Sequence, residues 1–360
     1  MQIVDIALLK SFFCEKERRV ASFAGMTADV FRYDTGIEAI RISNNRGHLV
    51  VLPYYGQMIW DAVFDGVDLT MANIFPMPRP ASDIAGTYGC FAFHSGLLAN
   101  GTPTPEDTHP LHGEMPCAAL QKAGLSFGED AQGPWMAITG EYEYAMGFGA
   151  HYLAKPRVIL RPDNTLFDIG IGVTNLSAAP MSLMYMCHVN FAFCEGAKII
   201  QPTSYSSTDT VVRQAIPGHV VPTPELLEFI DQLANSPDAM EVLDEPERYD
   251  PEQVFYIRNL KTDTKGLTHL MMRRKEGDAF AISYDTKAFS HTVRWVLANS
   301  DQKVAAFALP STCEPEGYVR EKKKGNVRTL AGHQTASFNV NLGYLTSEEA
   351  ENKERFIHGL

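Results

Sequence analysis

The sequence predicts an all-β protein, a large antiparallel β-sandwich with a few short helices. Two observations carry this. Apolar and polar residues alternate with a period of two along most of the chain, in runs rich in Val, Ile, Phe, Tyr and Thr. Gly, Pro, Asn or Asp separate those runs, and antiparallel strands need only such short connections.

The first runs are Ile37 to Ile42, His48 to Leu52 and Met58 to Phe64, which ends at the turn Asp65-Gly66. The middle of the chain adds Trp135 to Tyr142, Ala154 to Leu160, Leu166 to Val173 and Ser182 to Val189. The last third adds Val254 to Ile257, Leu267 to Arg273, Ala279 to Tyr284, Thr292 to Leu297, Val304 to Leu309 and Ala336 to Leu345. One helix is signalled over Leu226 to Leu233, after a Thr223 cap and a proline in the first turn. A second is expected in the first dozen residues. Between about Phe75 and Pro116 the chain shows little periodicity but many Pro, Gly, aromatic and His residues, the composition of a functional loop. The acidic stretch Asp238 to Glu252 reads as a solvated excursion. No repeat or linker divides the chain, so one domain over 1–360 is expected, with a core over about 35–345 and an N-terminal extension of about 34 residues.

A net charge of −12 argues against partners with phosphate backbones or anionic lipid surfaces. The six cysteines form no CxxC pair, which points to reduced, mostly buried thiols. The first residues lack the basic-then-apolar order of a signal peptide, and no apolar run approaches the ~20 residues of a membrane span. A cytoplasmic protein is expected.

Three clusters can carry chemistry. Asp107 to Glu114 holds His109 and His112 around Pro110, ahead of Gly113. Such a pair can ligate a metal, present an imidazole to a substrate, or be an incidental surface loop. Met184 to Phe191 places His188 in an apolar strand with Asn190 two residues on, where both would share a face. Leu309 to Tyr318 follows an apolar strand and brings Glu314 and Glu316 to its end, where a carboxylate near low-dielectric core can act as a base. The run Lys322-Lys323-Lys324 is a solvated face or an attractor for an anionic substrate group.

In order and spacing these clusters resemble the galactose mutarotase-like superfamily, and within it the aldose 1-epimerase branch, including bacterial members of unknown function. The matching features are Leu111-His112-Gly113, His188 in its strand, Glu314 before Pro315, and the opening hairpin at Gly56 to Trp60 with Asp65-Gly66. The dipeptide Cys187-His188 departs from the family's Asn-His. The resemblance implies a supersandwich fold and interconversion of sugar anomers by ring opening, with Glu314 as base, His188 as a protonated acid and His112 as a polar partner. An adjacent carboxylate is expected to keep His188 charged.

Arg79, His94, Asn100, His109, Asn190 and Glu316 are the candidate sugar-binding residues, and Trp60, Tyr55 and Tyr88 the candidate stacking aromatics. No metal or organic cofactor is required. The partner expected is a small carbohydrate, with a homodimer left open. Competing readings are a non-catalytic carbohydrate-binding protein, a metal-dependent sugar isomerase using His109, His112 and His188, and an enzyme acting on a sugar acid or phosphate. The loop Tyr88 to Gly96, with Asn100, resembles one peculiar to the less-studied branch of that family, so the sugar need not be galactose.

Overall fold

The computed structural model describes residues 3–216 and 220–360. Two large antiparallel sheets face each other. The nine-stranded sheet runs from Val4–Ala7 through Lys122–Asp130, Gly133–Ala145, His151–Leu160, Leu166–Asn175, Thr335–Leu345, Ala279–Asp285 and Leu267–Arg273 to Lys198–Ile200. The other sheet has 13 strands. Its main path runs from Thr210–Val212 through Gln253–Ile257, His291–Ala298, Lys303–Ser311, Met181–Val189, Ala92–Leu97, Ile59–Phe64, Gly47–Val51, Glu38–Ser43 and Met26–Arg32 to Arg18–Phe23.

Alternation explains which residues lie between the sheets. In Leu166–Asn175, the residues Phe167, Ile169, Ile171 and Val173 point into the common core, while Gly170 and Gly172 take the other face. Rings meet across the sandwich: Phe64 lies 5.8 Å from Phe167, Phe191 lies 5.4 Å from Phe280, and Tyr185 lies 4.8 Å from Phe338.

The strand Met181–Val189 is buried on both faces and therefore does not alternate. Leu183, Tyr185, Cys187 and Val189 pack in the core between the sheets. The opposite face, with His188, is covered by the long segment that follows residue 70. That segment also supplies a strand, Ala92–Leu97, seated between Ile59–Phe64 and Met181–Val189. All six of its residues are buried, so no period marks it in the sequence.

The helix Pro224–Asn235 forms as expected, with the Thr223 side chain accepting from the Leu226 N–H at 3.2 Å. The expected N-terminal helix does not form. Its residues make the edge strand Val4–Ala7 and a single turn at Lys10–Phe12, because pairing with Lys122–Asp130 satisfies the backbone. The strands Arg18–Phe23 and Met26–Arg32 close the end of the thirteen-stranded sheet, so the first 34 residues contribute strands to both sheets. Two further helices, Tyr318–Lys324 and Ser347–His358, come from charged segments, the second fixed by a capping box between Thr346 and Glu349. Among the described residues no helix is long and apolar enough to cross a membrane.

Candidate active site

The face of Met181–Val189 turned away from the core forms the floor of a cavity of about 510 Å³. His188 and Met186 stand on the floor, and Val293 and Trp295 come from His291–Ala298, two strands away. Tyr88 and His112 come from the covering segment, and Arg213 and Glu252 from the ends of the neighbouring strands Thr210–Val212 and Gln253–Ile257.

His188 pairs directly across from Phe93, and the two rings stack at 4.5 Å. Its Nε2 lies 3.2 Å from the Tyr88 hydroxyl, and Trp295 closes a third side at 5.7 Å. His188 Nδ1 and Asn190 Oδ1 are buried without a hydrogen-bond partner within the protein. Burial among these rings pushes the His188 imidazole well below its ordinary 6.5, and His112 lowers it further. Among the described residues no carboxylate pairs with it. The charged His188 expected from the resemblance is therefore not what the free protein holds: the imidazole is neutral.

His112 sits in a turn that the chain builds at some cost. Its φ is 61°, in the left-handed region that few side chains other than Asn, Asp and His adopt, and Gly113 follows at 81°. A Cβ on Gly113 would stand 2.2 Å from the Ala99 carbonyl oxygen and 2.5 Å from that of Gly96. Backbone bonds stitch the turn to the Ala92–Leu97 strand: Gly96 N–H donates to His112 O at 2.9 Å, and Met115 N–H to Gly96 O at 2.8 Å. Glu114 is spent on the same task, accepting from Leu97 N–H, Leu98 N–H and the Tyr152 hydroxyl. Gly113→Ala is therefore expected to cost at least about 2 kcal/mol of stability, from left-handed strain and the backbone clash together. Urea unfolding measures it; a loss under about 0.5 kcal/mol would show that the turn relaxes freely.

A buried relay orients the His112 ring. Ser95 Oγ lies beside Asn100 Oδ1, 3.0 Å from His112 Nδ1 and 3.2 Å from His112 O; with its one proton directed to either oxygen it accepts from an Nδ1–H. Asn100 in turn donates to Cys313 Sγ at 3.5 Å. Nε2 of His112 is thus left with its lone pair. Burial, with His109 nearby, takes this imidazole down to about 3. The two site imidazoles meet edge to face at 4.9 Å.

Glu252 is the carboxylate of this cavity nearest the indole. Its Oε2 accepts from Trp295 Nε1 at 2.7 Å and its Oε1 from Arg213 Nη2 at 2.7 Å. Arg213 also reaches Glu316 at 3.8 Å. None of Glu252, Arg213 and Trp295 was singled out in the sequence. Trp295 reads as one more apolar residue of a strand, and Glu252 as the end of an acidic excursion. The available signal was its place directly before the apolar strand Val254 to Ile257.

The remaining candidates scatter. Glu314 lines a different cavity, where Lys324 Nζ donates to it at 2.6 Å and Arg258 lies at 3.5 Å. Glu316 lines a third cavity, accepting from the Tyr256 hydroxyl and from Arg320. Pro315 between them is the residue that faces the His112 and His188 cavity. His94 projects to the core, 2.9 Å from the Tyr185 hydroxyl. Asn190 donates to Cys90 O at 2.9 Å and does not line the cavity. His109 lines another cavity and lies 3.4 Å from Tyr318 N. Arg79 is exposed over the Phe75 ring. Tyr55 and Trp60 belong to a small apolar cluster under the loop, leaving Tyr88 as the expected aromatic that reaches the cavity. The lysine run is occupied: Lys324 pairs with Glu314 and the fully buried Glu321, Lys323 with Glu106, and Lys322 lies over Tyr318. Among the described residues no three His, Cys, Asp or Glu side chains are grouped as a metal site.

Comparison with known proteins follows the same line. The family model described as a domain of unknown function, DUF4432, matches residues 34–344. The chain belongs to the DUF4432 family. No curated protein sequence matches it. Among solved structures, this DUF4432 protein is similar to a Klebsiella pneumoniae protein named "putative aldose 1-epimerase", with a TM-score of 0.81 at 15% identity over 99% of this chain and 96% of that one. An Escherichia coli protein of the same name gives 0.53 at 16% identity, covering 89% and 99%. A galactose mutarotase-like protein from Clostridium acetobutylicum gives 0.56 at 12% identity, covering 89% and 98%. At these identities the likeness establishes the fold: the DUF4432 chain is a galactose mutarotase-like β-sandwich.

Proposed function

We propose that this protein interconverts the anomers of a sugar, with Glu252 as base, the His188–Tyr88 pair as proton donor and His112 as acceptor for a sugar hydroxyl. The observation that carries the reading is the composition of one cavity. Two neutral imidazoles, a carboxylate held by an indole and a guanidinium, and the flat rings of Tyr88 and Trp295 face the same space. A pyranose offers matching features, an apolar ring face and a belt of hydroxyls, and the volume lies in the usual range for small-molecule sites.

Ring opening moves one proton off the anomeric hydroxyl and one onto the ring oxygen. Glu252 takes the first as the bond from the anomeric carbon to the ring oxygen breaks, with the electron pair going to that oxygen. The His188–Tyr88 pair supplies the second. Rotation about the bond from C1 to C2 then presents the other carbonyl face, and closure returns both protons. With a neutral donor the negative charge passes from Glu252 to the donor pair and returns on closure, so the net charge of the cavity is unchanged and no imidazolium is formed. Glu252 replaces Glu314 in this scheme because Glu314 faces Lys324 in another cavity.

The test is anomer exchange, followed by polarimetry or exchange NMR across a panel of aldoses. The wild-type chain is expected to accelerate at least one of them, and His188→Ala to abolish most of the acceleration. Equal relaxation of every sugar by both proteins would sink the assignment. Tight binding without exchange would select a carbohydrate-binding protein instead.

A further inference from the structure

A second cluster of reactive side chains lies on the outer face of the nine-stranded sheet. His269 and Ser283 are directly paired on adjacent strands, Leu267–Arg273 and Ala279–Asp285, so their side chains share a face. Leu270, Met272, Phe280 and Ile282 point the other way, into the core between the sheets. The helix Ser347–His358 covers the outer face, with Ala350 and Ile357 packed near Met271 and Ala281. Beside this helix is a cavity of about 460 Å³, lined by His269, Ser283, Asn341, Asn352, Lys353 and Phe356.

The polar groups there are ordered. Asp263 Oδ1 accepts from Lys265 N–H at 2.8 Å and Leu267 N–H at 3.0 Å, which fixes the carboxylate. Its Oδ2 lies 3.0 Å from His269 Nε2, so that nitrogen carries the proton and Nδ1 presents a lone pair, which Ser283 Oγ also approaches at 2.8 Å. Lys353 Nζ stands 2.8 Å from Nδ1 and 3.4 Å from Ser283 Oγ. The nearby carboxylates are engaged elsewhere: Glu349 accepts from Thr346, and Glu354 pairs with Arg273 and His358. Among the described residues no carboxylate pairs with Lys353. Burial pushes its ammonium down to about 8 against the pull of Asp263, and burial together with Lys353 lowers His269.

We infer that Lys353 is a nucleophilic amine and a site of modification by small acyl phosphates, with the adjoining cavity receiving the acyl group and His269 Nδ1 the proton. The Nζ lone pair attacks the carbonyl carbon and forms the new bond from nitrogen to carbon. The surplus ammonium proton passes to Nδ1 and on to solvent. The bond from acyl carbon to phosphate oxygen breaks, and phosphate leaves with the electron pair. The products are a neutral amide and inorganic phosphate. A desolvated amine beside an oriented imidazole meets the conditions for a lysine nucleophile. The site is independent of the proposed sugar chemistry, which uses the other sheet.

The test is incubation of the full chain with acetyl phosphate, with acetylation of each lysine followed by peptide mass spectrometry. At pH near 7.5 Lys353 is expected to react at least about tenfold faster than the exposed Lys16 and Lys265, because far more of it is free amine. Its rate should level off above pH ~8. His269→Gln, once shown to be folded by circular dichroism, should lose the excess. Labelling of Lys353 no faster than the exposed lysines, or a wild-type pH profile parallel to theirs, overturns the inference whether or not the variant folds.

Discussion

Glu252→Gln is expected to slow anomer exchange by about 10²–10⁴-fold, the usual worth of a positioned general base, while Glu314→Gln leaves the rate near that of the wild type. Gln keeps the size of the side chain and can still accept from Trp295 or Arg213, so the cavity wall should stand while the base is lost. The expected loss corresponds to roughly 3–5 kcal/mol of transition-state stabilisation. Glu314 behaves differently because its oxygens face Lys324 and Arg258, away from both imidazoles. Glu316→Gln should fall between, since Glu316 reaches the cavity only through Arg213 at 3.8 Å. Initial rates with the sugar that responds in the panel, measured on proteins of matched urea stability, decide the matter. A large loss in Glu314→Gln with none in Glu252→Gln would return the base to the strand end.

The second large effect is on stability in mild acid. His94 is held down to about 4 and His112 to about 3, both by burial, and His188 lies well below 6.5 for the same reason. An unfolded histidine titrates near 6.5, so below that pH the unfolded chain binds protons that the folded chain refuses. The stabilisation is fully present above pH ~6.5 and is lost progressively as the pH falls toward the folded values. Between pH ~7.5 and pH ~5 His94 and His112 should each remove about 2 kcal/mol, and His188 adds to the loss in the same direction, a large share of an ordinary folding margin. Urea titrations at the two pH values give the total. His94→Gln, which keeps a partner for the Tyr185 hydroxyl but cannot titrate, should lose about 2 kcal/mol less than the wild type over this interval. Equal stability at both pH values would mean that the imidazoles charge without leaving the fold.

These two expectations separate what was legible in the sequence from what was not. His188 could be found because a polar ring in an apolar strand breaks the pattern, and His112 because a glycine follows it in a loop dense with aromatics. Both line one cavity. The charge of His188 was not legible, because it depends on Tyr88 and Phe93 from the covering segment and on Trp295 from a strand far along the chain. His94 and Ser95 differ by one position, and strand parity alone sends the first to the core and the second to the His112 relay. Past the end of Lys303–Ser311 the chain bends so that Pro315 lines the cavity while Glu314 and Glu316 each line another.

By itself the sequence determined the sandwich, because period-two burial and turn chemistry are local properties that each strand carries with it. It also determined which imidazoles stand out. The tertiary structure alone placed Glu252 in the cavity that they line. Glu252 and Arg213 lie 39 positions apart, and Trp295 another 43 beyond Glu252. Only the order of strands in the sheet brings the three together, and strand order is set by the packing of the whole core rather than by any segment of it.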